Sequence, residues 1–118
     1  MTGLTTHVLD TALGAPAKGV MIDVFRITDE VREYLKTVRT NAEGRTDGGS
    51  ILEGEVFRRG TYEMVFHTGA YLKFTGQKLP EVLFLDIIPI RFGVADPAAH
   101  YHVPLLLSPF GYSTYRGS

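Results

Sequence analysis

Hydrophobic and polar residues alternate along most of this chain in short runs, and clusters of Gly, Pro, Asn and Asp cut the runs apart. A period of two belongs to half-buried strands, not helices. Residues 4–10 read as a first strand, closed by Leu13-Gly14-Ala15-Pro16, and residues 20–28 as a second with Val20, Ile22 and Val24 on one face. Residues 34–40 form a third and run into the Gly-rich loop 41–49, while 54–57 suit a short edge strand. In 61–67, Tyr62, Met64 and Phe66 share one face, and Glu63, Val65 and His67 the other. Residues 69–76 are the one plausible helix, with Tyr71, Leu72 and Phe74 to bury; 84–92, 101–107 and 112–117 supply the last strands. About eight strands and one short helix predict an all-β antiparallel sandwich, since a βαβ fold needs several helices.

Composition narrows the picture. With 118 residues, 44% of them hydrophobic, the chain is expected to form one domain over 1–118 with a modest core of its own. The 12 basic and 13 acidic residues are interspersed, so no basic stripe points to nucleic acid and no polybasic segment to an anionic membrane. Cysteine is absent, which excludes a disulfide framework, a zinc-thiolate site and a cysteine nucleophile. Residues 1–15 lack a basic region followed by a long apolar one, and the best apolar run, 82–90, is broken by Asp86 and Pro89. Neither a signal peptide nor a membrane span is expected, and a cytoplasmic location follows as the expectation.

Candidate chemistry centres on histidine, a residue that titrates near neutrality. His7 lies on the Thr5/His7/Leu9 face of the first strand, either as a general base or as a hydrogen-bonded strand residue. His100 and His102 form a His-x-His pair able to hold a metal, although no third ligand stands out. His67 ends a strand and reads as solvated. Arg45 sits in the loop Thr40-Asn-Ala-Glu-Gly-Arg-Thr-Asp47, where its fork of donors suits an anionic or carbonyl-rich ligand, the bland alternative being simple solvation. Gly44 and Gly48 are not a phosphate loop, because the lysine and following helix are missing. Ser108 and Ser113 lack a nucleophile elbow.

The polar ending Tyr115-Arg116-Gly117-Ser118 follows an apolar run and a turn-like Ser108-Pro-Phe-Gly111. If Ser108 pairs with Gly111 across that turn, Gly117 faces His102 and Tyr115 faces Pro104. Tyr115 then becomes a diagonal neighbour of His102 on one sheet face, an inference that a one-residue slip would reverse.

Three stretches, Leu4-Thr-Thr-His-Val-Leu-Asp10, Asn41-Ala-Glu-Gly-Arg-Thr-Asp47 and the segment from His102 to Ser118, together resemble the 5-hydroxyisourate hydrolases, the transthyretin-related proteins of urate breakdown. The resemblance spans the whole chain, and the Tyr-Arg-Gly-Ser ending is its most specific part. It implies a transthyretin-like sandwich of two four-stranded sheets, assembled as a homotetramer with active sites at the dimer–dimer interface. It implies cofactor-free hydrolysis of 5-hydroxyisourate to 2-oxo-4-hydroxy-4-carboxy-5-ureidoimidazoline, with no metal. It assigns catalysis to His7, Arg45 and His102, and substrate binding to His7, Arg45, Tyr115 and Ser118, with Arg116 holding the terminus. Which imidazole is the base stays open in the sequence; His102 is favoured, with His7 orienting water or substrate. The competing expectation is a transthyretin-type carrier of hydrophobic ligands that does no chemistry.

Overall fold

Strong alternation in residues 20–28 becomes β4 (Met21–Thr28), whose Ile22 and Val24 are fully buried between two sheets. β6 (Gly60–His67) repeats the pattern with Tyr62, Met64 and Phe66, none of which reaches solvent. The computed structural model describes residues 2–118. β4 pairs antiparallel with β5 (Val31–Arg39) and with β6, and β6 pairs antiparallel with β7 (Ile87–Val94), giving a four-stranded sheet in the order β5-β4-β6-β7.

The opposing layer is built around the N-terminal segment. β1 (Gly3–Thr5) runs parallel to β8 (His100–His102), and β2 (Val8–Asp10) runs parallel to β9 (Leu105–Ser108). Short β3 (Ala15–Pro16) and the hairpin strand β10 (Gly111–Thr114) complete a second four-stranded sheet, β10-β9-β2-β3. Leu4, Val8, Leu105 and Leu107 project from this layer against Ile22, Val24, Tyr62 and Phe66 in one core. At about 25 cal/mol per Å² of buried apolar area, that cluster is the main stabilising term.

The sandwich architecture matches expectation, with four local differences. The expected strands 4–10 and 101–107 are each broken in two, and both breaks coincide with Pro104, which has no N–H to give a ladder. The pairings of β1 with β8 and β2 with β9 are parallel, so the sandwich is not antiparallel throughout. Residues 54–57 do not form an edge strand: Gly54–Val56 is a turn of 3₁₀ helix, because Gly54 takes a positive φ of 66° that ends extended structure. Phe74 is not buried; α1 (Thr68–Phe74) turns Thr68, Tyr71 and Leu72 inward, and Phe74 falls beyond that arc at 92% exposure.

The helix is tied to β2 by Asp10, a carboxylate only 1% exposed. Its Oδ1 accepts from the backbone N–H groups of Ala12 (3.1 Å) and Leu13 (2.9 Å), and its Oδ2 from the Tyr71 hydroxyl (2.7 Å) and the Gln77 amide (3.0 Å). Burial and this bond to a carboxylate push the Tyr71 hydroxyl well above the ordinary phenol range. Asp10→Ala removes the acceptor these donors share and leaves the buried Tyr71 hydroxyl unpaired, and a loss of about 3 kcal/mol is expected from the usual strength of hydrogen bonds to charged groups. A urea midpoint unchanged from wild type would refute that role.

Candidate active site

Four pieces of chain meet at one end of the N-terminal layer. β1 supplies Thr5, the link after it Thr6 and His7, β8 supplies His100 and His102, the loop after β5 supplies Arg45 and Thr46, and the C-terminal segment supplies Gly117 and Ser118. A cavity of about 370 Å³ is lined by Thr5, Arg45, His100, His102 and Ser118, together with neighbouring Thr6, Thr46 and Gly49. That volume is in the range of small-molecule sites.

The Arg45 loop is rigid for local reasons. Asn41 accepts backbone N–H bonds from Glu43 (2.9 Å) and Arg45 (3.1 Å) through its Oδ1, and donates from Nδ2 to Asp47 (2.9 Å). An Asn side chain that closes its own turn in this way replaces regular secondary structure. Gly44 has φ +76°, and a Cβ there would run into the carbonyl of Val8. Only glycine lets the loop lie against β2, where the Val8 N–H donates to the Gly44 carbonyl (2.8 Å). Arg45 is thereby held exposed at the cavity mouth.

The tail is docked on the other side. Gly117 donates its N–H to the His102 carbonyl (2.7 Å), in the register expected from the Ser108–Gly111 turn. A Cβ on Gly117 would lie 2.6 Å from Cδ2 of the His102 ring, so the missing side chain makes room for the imidazole. Arg116 stacks its guanidinium 4.1 Å above the Tyr101 ring and donates to the His100 carbonyl (3.3 Å), which anchors the segment.

Arg45, His102 and Ser118 line the same cavity. His7 is not among the lining residues but stands close enough to act electrostatically on His102. Its Nε2 lies 2.8 Å from the Glu43 carbonyl, which can only accept, so Nε2 carries a proton and the lone pair of the neutral ring lies on Nδ1. Tyr115 departs from expectation. It is 59% exposed and lines a second cavity of about 200 Å³ with Phe92, Tyr101 and Val103, not the cavity of its own His102. The register is as expected but the shared face is not: the ladder stops at Val103-Pro104, and strict alternation is lost beyond the stop.

His67 is not simply solvated; its Nε2 meets Asp23 at 2.8 Å on the outer face of the β5-β4-β6-β7 sheet. The Thr37 hydroxyl and His67 hold the Asp23 carboxyl below its usual range. Nothing in the sequence pattern marks Thr5 and Thr6 as site residues, and the His-x-His spacing points to His100 only as a metal ligand. Thr5 Oγ1 lies 2.8 Å from both His100 Nε2 and His102 Nδ1, so the His-x-His pair turns these nitrogens to a hydroxyl. The available signal was the pairing of residues 4–10 with 101–107, which alternation alone does not specify.

The electrostatics favour a neutral His102. Burial lowers its pKa first, and the charges of Arg45, His100 and His7 lower it further. The ring sits at the cavity as an uncharged base beside a permanent cation, the pairing that proton abstraction and charge stabilisation require.

The profile of the HIUase/Transthyretin family matches residues 4–117. This chain belongs to that family. Among family relatives, the 5-hydroxyisourate hydrolase 2 of Rhizobium meliloti (strain 1021) is 59% identical over 115 residues, covering 98% of this chain and 95% of the relative. The solved 5-hydroxyisourate hydrolase of Klebsiella pneumoniae superposes with a TM-score of 0.77 at 34% identity, over the full length of both chains. A crystal structure of (S)-allantoin synthase superposes with a TM-score of 0.93 at 45% identity; the match covers 98% of this chain and 43% of the synthase chain. No helix among the described residues is long and apolar enough to cross a membrane.

One consequence is measurable without substrate. Arg45→Gln removes a positive charge that opposes the imidazolium, so the His102 titration midpoint moves up toward the ordinary histidine value of 6.5. Side-chain NMR of the two proteins follows it; a midpoint that stays put or falls would show that Arg45 does not act on this ring.

Proposed function

We propose that the protein is a 5-hydroxyisourate hydrolase that opens the ring of its substrate to 2-oxo-4-hydroxy-4-carboxy-5-ureidoimidazoline without a cofactor. The observation that carries the reading is a single cavity lined by a neutral imidazole, a guanidinium and hydroxyl groups. Such a lining suits a small, carbonyl-rich anion and offers a hydrophobic carrier ligand no large apolar side chain.

In this reading His102 accepts a proton from water at Nε2 as the water oxygen attacks a ring carbonyl. General base catalysis of this type contributes about 10²–10⁴ in rate. Arg45 holds the anionic ring and stabilises the charge that grows on the carbonyl oxygen, an effect commonly worth about 10²–10³ in kcat. Ser118 hydrogen-bonds the substrate across the cavity. His7, its Nε2–H fixed on Glu43, offers Nδ1 to orient the water or the substrate.

The working enzyme is proposed to be a cytoplasmic homotetramer with active sites at the dimer–dimer interface. Assembly is supported by apolar surface: Phe84 and Phe110 are 70% and 63% exposed with ring centroids 6.2 Å apart, and Leu13 is 54% exposed. Exposed large apolar side chains of this kind suit contact between proteins. Tyr115 contacts substrate in this reading only by reaching the site of a neighbouring copy, since it turns away from its own. Sedimentation at micromolar concentration should give four times the chain mass; a monomer would remove the assembly.

Purified protein should accelerate loss of freshly generated 5-hydroxyisourate, followed by ultraviolet absorbance, and His102→Gln should remove at least about 10² of that acceleration while the thermal midpoint stays near wild type. Spontaneous-rate decay with the wild-type protein would sink the assignment. Gly117→Ala should also lose about 10² in kcat/KM, because its Cβ displaces the His102 ring and misplacement by about 1 Å has costs of that order. Wild-type turnover in this variant would show that the ring position is not critical.

A further inference from the structure

A threonine hydroxyl between two imidazoles constrains the protons of all three groups. Thr5 Oγ1 is 2.8 Å from His102 Nδ1 and 2.8 Å from His100 Nε2. The hydroxyl has one proton, so it donates to one ring and must accept from the other. Two arrangements satisfy this. Either His102 Nδ1–H donates to Thr5 and Thr5 donates to His100 Nε2, or both bonds run the opposite way. In the first, neutral His102 carries its lone pair on Nε2; in the second, Nε2 is protonated.

His102 Nε2 has no hydrogen-bond partner, yet it is not among the fully buried unpaired atoms, so it opens to the cavity. The groups that face this ring are Arg45 from the loop, His100 from the same strand, His7 from the N-terminal segment, and uncharged Thr5 and Gly117. A lone pair directed at a cavity that holds the Arg45 cation is favoured over an N–H directed there. The first arrangement is therefore the resting one.

We propose that Thr5 and His100 are a positioning pair for His102, holding its proton on Nδ1 so that Nε2 faces the substrate as a base, and passing the abstracted charge on to His100. The proposal rests on the hydrolase reading for its kinetics but not for its geometry. As water attacks, its O–H bond breaks and the proton joins His102 Nε2. The Nδ1 proton then moves to Thr5 oxygen as the Thr5 proton moves to His100 Nε2. The positive charge ends on His100, and His102 is left neutral with an Nε2–H ready to protonate the departing ring nitrogen. Atoms and charge balance with no other reactant. A single short relay thus converts the general base of the first step into the general acid of the second.

The tautomer is read directly by ¹⁵N-detected NMR of the histidine side chains, without substrate. Neutral His102 in the wild-type protein should show Nδ1–H. Thr5→Val, which keeps the shape and removes the hydroxyl, should convert it to the Nε2–H form and lower kcat at least about 10-fold with KM little changed, while Thr5→Ser should restore both. His100→Phe removes the acceptor at the far end, leaves Thr5 free to donate to His102 Nδ1, and should produce the same conversion. Because two variants on different strands must give one spectral change, misfolding of either does not remove the test. A wild-type His102 with Nε2–H, or Thr5→Val with the wild-type tautomer and kcat, would overturn the proposal. Absence of hydrolysis in the wild type alongside the expected tautomers would instead count against the hydrolase reading and leave the positioning pair standing.

Discussion

One parallel ladder carries the site. Residues 3–10 lie beside residues 100–107 in a single register, Thr5 opposite His102 and Val8 opposite Leu105, although two strand pairs form it with a break between them. The Val103 and Leu105 N–H groups bridge the break by donating to the carbonyls of Thr5 (2.9 Å) and His7 (3.0 Å), so the register survives where Pro104 cannot donate. Apolar residues of this ladder, Leu4, Val8, Leu105 and Leu107, face the core, which pins the register, because a slip of one would turn them outward and bring His100 and His102 inside. The placement of the imidazoles is a by-product of hydrophobic burial on the opposite face.

Each neighbour of that ladder adds one functional group through a glycine. Gly44 lets the Arg45 loop touch β2, and Gly117 lets the tail touch the His102 ring. At both positions the requirement is close approach, so the guanidinium and the tail hydroxyl are held by backbone contacts and not by long side chains of their own. Backbone placement costs little side-chain entropy and leaves Arg45 and Ser118 free to meet a ligand.

The charge arrangement follows from the same crowding. A half-buried imidazole among three groups that are or can become cationic resists protonation, while the buried carboxylate of Asp10 is spent on fastening the helix. No Asp or Glu side chain lines the cavity beside Arg45, which leaves its charge open to an anion. Fold stability and site chemistry therefore draw on separate polar groups. That separation explains why changes at His102 or Thr5 are expected to act on turnover more than on folding.

Much of this was legible in the chain. The period of two in residues 20–28 and 61–67 specified core faces, and the Ser108–Gly111 turn specified the pairing of Gly117 with His102. Arg45 was visible as a residue type whose chemistry suits an anion, while His102 and Ser118 entered as site residues through the family resemblance. Alternation is a local property, however, and it fails where a strand is interrupted: Pro104 ended the ladder and sent Tyr115 to the second cavity. Pairing between segments 97 residues apart leaves no local trace, so the Thr5 hydroxyl between two imidazoles was invisible until the strands were set side by side. Residue chemistry and strand faces were determined by the sequence alone, because they depend on side-chain type and backbone period. Which groups share a proton was decided only by the tertiary structure, because hydrogen bonds need a few tenths of an ångström that only packing supplies.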